Sequence, residues 1–142
     1  MDDPHDLRRF FEAQSGVYDQ ALAELRGCRK ATHWMWFIFP QIAGLGLSPT
    51  ARRFAIRSLD EARAYLAHPV LGPRLKACAE AVAACEGRTA WEVFGSPDDV
   101  KFRSSMTLFE RAAPDEPVFA QALAKYFGGA RDPATLAMLD DV

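Results

Sequence analysis

The sequence contains no long apolar stretch, and so it lacks the signature of a membrane span. Its most hydrophobic run extends from Trp34 to Phe39 and ends at Pro40, whereas a helix needs roughly 20 apolar residues to cross a bilayer. The chain begins with acidic residues, Asp2 and Asp3, at the place where a secretory signal is basic and then apolar. We therefore expect a cytoplasmic protein without a membrane partner.

An excess of charge of one sign is missing as well. The 17 Lys and Arg residues stand against 19 Asp and Glu residues, which gives a formal net charge of −2. A balance this close to neutrality provides no overall field that would steer a polyanion, so general nucleic-acid binding is not expected. With 49% apolar and 25% charged residues the composition is typical of globular proteins. A length of 142 residues suits one domain, which we expect to span 1–142.

Cysteine and histidine are scarce, with three residues of each. Neither a Cys-x-x-Cys pair nor a histidine-rich cluster is present, so we expect no structural zinc, no other metal and no cofactor. Cys78 and Cys85 lie seven residues apart in a helical pattern, about 10 Å along the axis, which exceeds the ~7 Å Cα limit for a disulfide. We expect these two cysteines and Cys28 to be reduced thiols.

Helix-start signals recur along the chain and are its clearest structural feature. A capping residue followed by Pro, or by an acidic residue, occurs at Ser48, Ser58, Thr89, Ser96 and Asp132. Apolar residues recur at helical spacing, and no segment alternates as a strand does. These patterns predict helices over 4–14, 16–27, 49–55, 59–67, 70–86, 90–94, 97–112, 117–127 and 133–140. The segment 32–40 is either a short helix or a buried strand. We expect a mainly α fold, a compact single-domain multi-helix orthogonal bundle with little or no strand.

The segment from His33 to Gln41 is unusually rich in large side chains. It contains Trp34 and Trp36 together with two Phe residues and one Met. The two indole N–H groups, the His33 imidazole and the Gln41 amide are polar groups that suit a boundary between core and cavity. Aromatic side chains also bury roughly 150–250 Å² each, so the segment fits a plain core role equally well. Both interpretations stay open.

The helix predicted over 97–112 is the second candidate. Its polar positions include four residues that could bind a ligand: Lys101, Arg103, Ser104 and Ser105. A cationic side chain there could bind an anion, and the two serines could donate hydrogen bonds. A simpler explanation is an ion pair between Asp98 and Lys101, which lie three residues apart, with the small serines allowing a close helix crossing.

Two further features bear on activity. No nucleophile motif is complete, since neither Gly-x-Ser-x-Gly nor Ser-x-x-Lys occurs. Enzymatic activity therefore stays open, and we assign no catalytic residue. Arg52, Arg53 and Arg57 form a local basic cluster. This cluster is most simply a solvated helix face, and the alternative is a phosphate-binding patch.

Four motifs closely resemble a bacterial family known as the domain of unknown function DUF1810, some of whose members are labelled calpastatin. The motifs are HWMWFIFPQ (33–41), GLG (44–46), AYLAHPVLG (64–72) and FGSPDDVKFRSSMTLF (94–109). The resemblance extends over nearly the whole chain and implies a compact, mainly helical domain. It implies little about function. The inhibitor called calpastatin is disordered, whereas this composition is globular, so we do not expect that activity here.

These observations lead to one hypothesis and one alternative from another class. The leading hypothesis is a pocket between the 33–41 and 97–107 segments that binds a small anionic or nucleotide-like ligand. Its ligand-binding residues would be His33, Trp34, Trp36, Gln41, Lys101, Arg103, Ser104 and Ser105. The alternative is a protein-interaction module that uses the aromatic 34–39 segment as a contact surface. We expect a monomer or a small homo-oligomer.

Overall fold

The computed structural model describes residues 2–140, in which ten α-helices pack around one core. The helices are α1 (Arg8–Gln14), α2 (Tyr18–Arg26), α3 (Met35–Ile38), α4 (Pro49–Arg53), α5 (Leu59–Ala67), α6 (Leu71–Ala83), α7 (Ala90–Phe94), α8 (Asp98–Ala112), α9 (Pro117–Phe127) and α10 (Pro133–Asp140). No strand occurs within 2–140, where one isolated parallel bridge joins Ile42 to Ile56. The predicted mainly α fold is confirmed.

Four helix starts and two helix ends follow from the local chemistry of the sequence. Four predicted capping residues each accept a hydrogen bond from the backbone N–H three positions further on: Ser48, Ser58, Thr89 and Asp132. At α7 the cap is reciprocal, because the Glu92 carboxylate also accepts from the Thr89 N–H at 2.9 Å. Gly95 and Gly128 end α7 and α9 with φ of 74° and 61°, a region that glycine enters without strain.

The start of α8 differs from the prediction. Ser96 makes no capping hydrogen bond, and the helix begins at Asp98. The backbone carbonyl of Gly95 accepts the Asp99 N–H at 2.9 Å, which is the bond expected for the Ser96 hydroxyl. The prediction that Ser96 caps this helix is therefore wrong, because a neighbouring backbone group satisfies the N–H instead.

The structure also shows where α1 begins and which conformation the 32–40 segment adopts. α1 begins at Arg8 rather than at residue 4, because the Asp3 carboxylate accepts from the backbone N–H groups of Leu7 (2.8 Å) and Arg8 (3.0 Å). The 32–40 segment contains the single-turn helix α3, so it is not a strand. It is apolar on every side because the core surrounds most of it.

α8 lies at the centre of the molecule and packs against α5, α7, α9 and α10. Its residues Phe102, Met106 and Phe109 are completely buried. α6 packs against α2, α5 and α9. At the α5–α6 junction only glycine fits at position 72, since a Cβ there would lie 2.1 Å from the backbone oxygen of Leu66.

The cysteines correct another expectation. Cys28 and Cys85 form a disulfide with a Cα–Cα distance of 5.8 Å, so the prediction that all three are reduced is wrong. Cys78 and Cys85 do not pair, as their spacing predicts, but the packing of α2 on α6 brings Cys28 beside Cys85. Cys78 is buried and free, and desolvation raises the pKa of its thiol to about 12.

None of the helices within 2–140 is both long enough and apolar enough to cross a bilayer. The cytoplasmic location stays a prediction. The Cys28–Cys85 bond is the feature that weighs against it, since disulfides are rare in reducing compartments.

Glu24, near the end of α2, organises the chain that leads into α3. Its Oε1 accepts from the backbone N–H groups of Ala31 (2.7 Å) and Thr32 (2.9 Å) and from Trp34 Nε1 (3.0 Å). Its Oε2 accepts from Thr32 Oγ1 (2.6 Å) and from the Gln20 amide (3.0 Å). The carboxylate is only 8% exposed, so these five donors supply the solvation that water no longer provides.

We expect the stability that Glu24 provides to depend on pH. Desolvation alone would raise the pKa of Glu24, but the hydrogen bonds from Thr32, Ala31 and Gln20 outweigh it and lower the pKa from 4.5 to about 2. A depressed folded-state pKa stabilises the fold above the unfolded-state value, and that contribution is lost as the pH falls through the folded-state value. This shift corresponds to about 3 kcal/mol at neutral pH.

Urea denaturation of Glu24→Gln tests this directly. The variant should unfold with a free energy about 3 kcal/mol lower than the native protein at neutral pH, and the gap should narrow as the pH falls from 4.5 toward 2. Glu12→Gln, at an exposed position of α1, is the control and should change little. A gap for Glu24→Gln that is the same at all pH values would contradict the assigned role.

A pair of alanine substitutions tests the helix starts. Thr89→Ala removes one half of the capping box of α7 and should lower the free energy of unfolding by about 1 kcal/mol. Ser96→Ala should have a much smaller effect, because the Ser96 side chain caps no helix. Chemical denaturation midpoints measure both, and a larger loss for Ser96→Ala would show that the start of α8 is misassigned.

Candidate functional site

The two segments singled out in the sequence touch each other. The ring centroids of Phe39 and Phe102 lie 5.0 Å apart in an edge-on arrangement. Lys101 Nζ lies 5.0 Å from the centre of the half-buried Trp36 ring, a cation–π contact, and 3.7 Å from Asp98 Oδ1. Lys101 therefore does not extend into open solvent, and it already has an anionic and an aromatic neighbour.

Trp34 belongs to the core. It is completely buried, and its Nε1–H group donates to Glu24. Met35, Ile38 and Phe39 are buried beside it. Only Trp36 and Phe37 are partly exposed within the aromatic 34–39 segment, which leaves little surface for a protein partner.

Two of the remaining predicted residues of α8, Arg103 and Ser104, bind the chain that leads into α10. Ser104 Oγ donates to Asp132 Oδ2 at 2.8 Å. The Arg103 guanidinium donates to the carbonyl groups of Ala130 and Arg131, at 2.9 and 2.8 Å. Ser105 is completely buried, and its hydroxyl has no hydrogen-bond partner in the described part of the chain. These contacts fasten α8 to the start of α10 and do not face the 33–41 segment.

His33 is exposed, and Gln41 lies with Trp36 beside a small cavity. That cavity is also lined by Ile42, Gly46, Ala51, Phe54 and Ala55. Its volume of about 10 Å³ has room for about one water molecule. The structure thus brings Trp36 together with Lys101, and Trp36 together with Gln41, but it does not arrange the eight predicted residues around one cavity. Ligand binding by these residues stays a prediction.

A larger cavity lies elsewhere, between α1, α4 and the chain that follows α4. Its volume is about 320 Å³ and it is open to solvent. It is lined by Asp6, Arg9, Arg52, Arg53, Ala55 and Arg57. Three of these arginines form the basic cluster seen in the sequence. Arg9 was missed because it lies far from them along the chain and only the fold brings it to the cluster.

Arg9 forms the inner wall of this arginine cavity, and all five of its N–H donors have an acceptor. Nε donates to the carbonyl of Arg53 (2.7 Å), and Nη1 to those of His5 and Asp6 (both 2.7 Å). Nη2 donates to the carbonyl of Ala55 (2.8 Å) and to the carboxylate of Glu61 (2.8 Å). A buried guanidinium is stable only when it is paired and hydrogen-bonded in this way.

The electrostatics of the arginine cavity are strongly positive. Glu61 is 1% exposed and contacts Arg57 Nε at 3.1 Å as well as Arg9. Arg52 and Arg53 form no ion pair with any carboxylate within residues 2–140. The four guanidinium groups, set against the carboxylates of Asp6 and Glu61, leave a local charge of +2. The cavity can therefore accommodate a small anion of about two negative charges.

Comparison with known proteins identifies relatives but no activity. The chain is 54% identical to a conserved hypothetical protein from Mycobacterium tuberculosis, Rv1873, whose crystal structure superimposes with a TM-score of 0.96. The match covers 97% of this chain and 99% of the mycobacterial one. A search of curated proteins finds no match.

A family model described as "Protein of unknown function (DUF1810)" matches residues 4–139. This match covers nearly the whole chain and agrees with the resemblance seen in the four sequence motifs. The chain belongs to the DUF1810 family.

Proposed function

We propose that this protein binds a small dianionic ligand, such as a phosphate monoester, in the arginine cavity. One observation carries the proposal: the guanidinium groups of Arg52 and Arg53 line a cavity of about 320 Å³ without a carboxylate partner among residues 2–140. Guanidinium groups bind phosphate through paired, charge-assisted hydrogen bonds, which are among the strongest hydrogen bonds in proteins.

The other two arginines have different tasks. Arg9 uses all its donors on the protein, so it holds the wall in place and contributes charge rather than a free hydrogen bond. Arg57 is 62% exposed and donates from Nε to Glu61 and from Nη2 to the His5 carbonyl, so the Nη1 side of its guanidinium remains open to a ligand. The local charge of +2 complements a phosphate monoester, which carries nearly two negative charges at neutral pH.

The ligand class is the one expected from the sequence, but the place is different. Beside Trp36 the cavity has room for only about one water molecule, and Asp98 already partly neutralises Lys101. The arginine cavity has both the space and the unpaired charge that the 33–41 and 97–107 segments lack. The proposal is one of binding, and no catalytic step is part of it.

A thermal-shift titration with inorganic phosphate tests this function, with ionic strength held constant by chloride. A ligand at 100 times its dissociation constant adds about 2.7 kcal/mol to stability, so the native protein should show a clear rise in Tm. The double variant R52Q/R53Q should bind phosphate at least about tenfold more weakly, because it loses the two unpaired guanidinium groups. Its stability without phosphate should remain close to that of the native protein.

The matched control is R63Q/R111Q, which removes the same two charges from exposed positions that do not line the arginine cavity. This variant should retain native phosphate affinity. Equal loss of affinity in both double variants would show that phosphate responds only to net charge. Absence of any phosphate effect on the native protein would also contradict the proposed function.

A further inference from the structure

The three tryptophans of this chain have very different surroundings. Trp34 is completely buried and Trp36 is half-buried, but Trp91 on α7 is 63% exposed. Its neighbours on the same short helix, Val93 and Phe94, are 1% and 6% exposed. α7 is therefore anchored in the core by other side chains, and the Trp91 indole is left at the surface with its aromatic face unused.

Trp91 stands in an open cleft of about 380 Å³. The cleft is lined by Arg29, Lys30, Arg88, Trp91, Glu92, Val93, Phe94 and Gly95. Three chemical elements meet there: an exposed aromatic ring, an apolar floor, and several cationic side chains. None of these residues takes part in the arginine cavity.

Two of the charged side chains in this tryptophan cleft, Lys30 and Glu92, have hydrogen-bond partners within the protein. Lys30 Nζ is bound by Asp98 Oδ2 at 3.0 Å and by the Thr32 carbonyl at 2.6 Å. The Glu92 carboxylate accepts from the Thr89 N–H, a hydrogen bond that lowers the pKa of Glu92 and keeps it ionised.

Arg29 and Arg88 are exposed, and neither has a carboxylate partner within the described chain. These two cations, set against the Glu92 anion, leave the tryptophan cleft with one positive charge.

The walls of the cleft are held in place by backbone hydrogen bonds and by the neighbouring disulfide. The Lys30 N–H donates to the Val93 carbonyl at 2.7 Å, which fastens the chain around Arg29 to α7. The Arg29 N–H donates to the Glu24 carbonyl at 3.0 Å, and Arg29 directly follows Cys28, which is bonded to Cys85. The backbone positions of Arg29 and Trp91 are thus set before any ligand arrives, which lowers the entropy lost on binding.

We infer that the tryptophan cleft binds a planar aromatic monoanion of the aryl carboxylate class. The ring of the ligand stacks on the Trp91 indole and covers the apolar floor. Its carboxylate forms charge-assisted hydrogen bonds with Arg29 or Arg88, for which the planar guanidinium fork is suited. One ring and one negative charge match the one exposed indole and the single net positive charge of the cleft.

Benzoate is the probe, and the indole N–H signals in a ¹H–¹⁵N NMR spectrum are the readout. The Trp91 signal, assigned by its loss in Trp91→Phe, should move progressively as benzoate is added. The Trp34 signal should stay in place, because that N–H is buried and bonded to Glu24. Acetate, which has the charge without the ring, and benzyl alcohol, which has the ring without the charge, should each shift the Trp91 signal much less.

Variants locate the charge contact. The double variant R29Q/R88Q should weaken benzoate binding about tenfold, as expected for loss of a charge-assisted contact. The control R52Q/R53Q removes two charges from the arginine cavity and should leave benzoate binding unchanged, so failure here and failure of the proposed function are distinguishable. The side chains of all four arginines are exposed, so both double variants should fold.

Three outcomes would overturn the inference. In the first, benzoate leaves the Trp91 signal unmoved. In the second, acetate moves it as far as benzoate does, which would show a charge effect without an aromatic site. In the third, the signal moves with protein concentration alone, which would show that Trp91 is a contact between copies of this chain.

Discussion

The buried guanidinium of Arg9 is the interaction on which the arginine cavity depends. Each of its five N–H donors has a partner, and the acceptors come from the chain before α1, from the end of α4 and the chain just after it, and from Glu61 on α5. Three separated parts of the sequence are thereby fixed around one cation. A lysine has three donors and no planar fork, so it could not join the same acceptors. Because all five donors of Arg9 are bound, the cavity wall that it forms is rigid, and its guanidinium gives that wall a positive charge.

Glu24 plays the corresponding role for the segment that follows α2. Four of its five donors hold the chain from Ala31 to Trp34 against α2 and fix the Trp34 indole in the core, and the fifth is the Gln20 amide on α2 itself. The aromatic segment consequently serves mainly in packing, and the buried indole N–H group of Trp34 is satisfied by Glu24. At this place the structure shows the contact between Trp36 and Lys101 and a small cavity beside Trp36 and Gln41. Ligand binding there stays a prediction.

Features that depend on a few neighbouring residues could be predicted from the sequence, whereas features formed by distant parts of the chain could not. Ser58 and Thr89 cap helices as expected, because a cap involves only the next three residues. Cys28 meets Cys85, and Arg9 meets Arg57 through Glu61, only after the helices have packed. The Arg52 and Arg53 pair was visible in the sequence, but its importance depends on Arg9. The cap predicted at Ser96 is an exception among these local features. It is absent because the Gly95 carbonyl accepts the hydrogen bond of the Asp99 N–H instead.

Crystallography with tungstate tests most directly whether the arginine cavity binds a dianion. Tungstate resembles phosphate in shape and charge, and anomalous scattering from tungsten locates it without ambiguity. We expect the strongest anomalous peak in the arginine cavity, within hydrogen-bond distance of the guanidinium groups of Arg52 and Arg53. Strong peaks elsewhere on the molecule with an empty arginine cavity would contradict it.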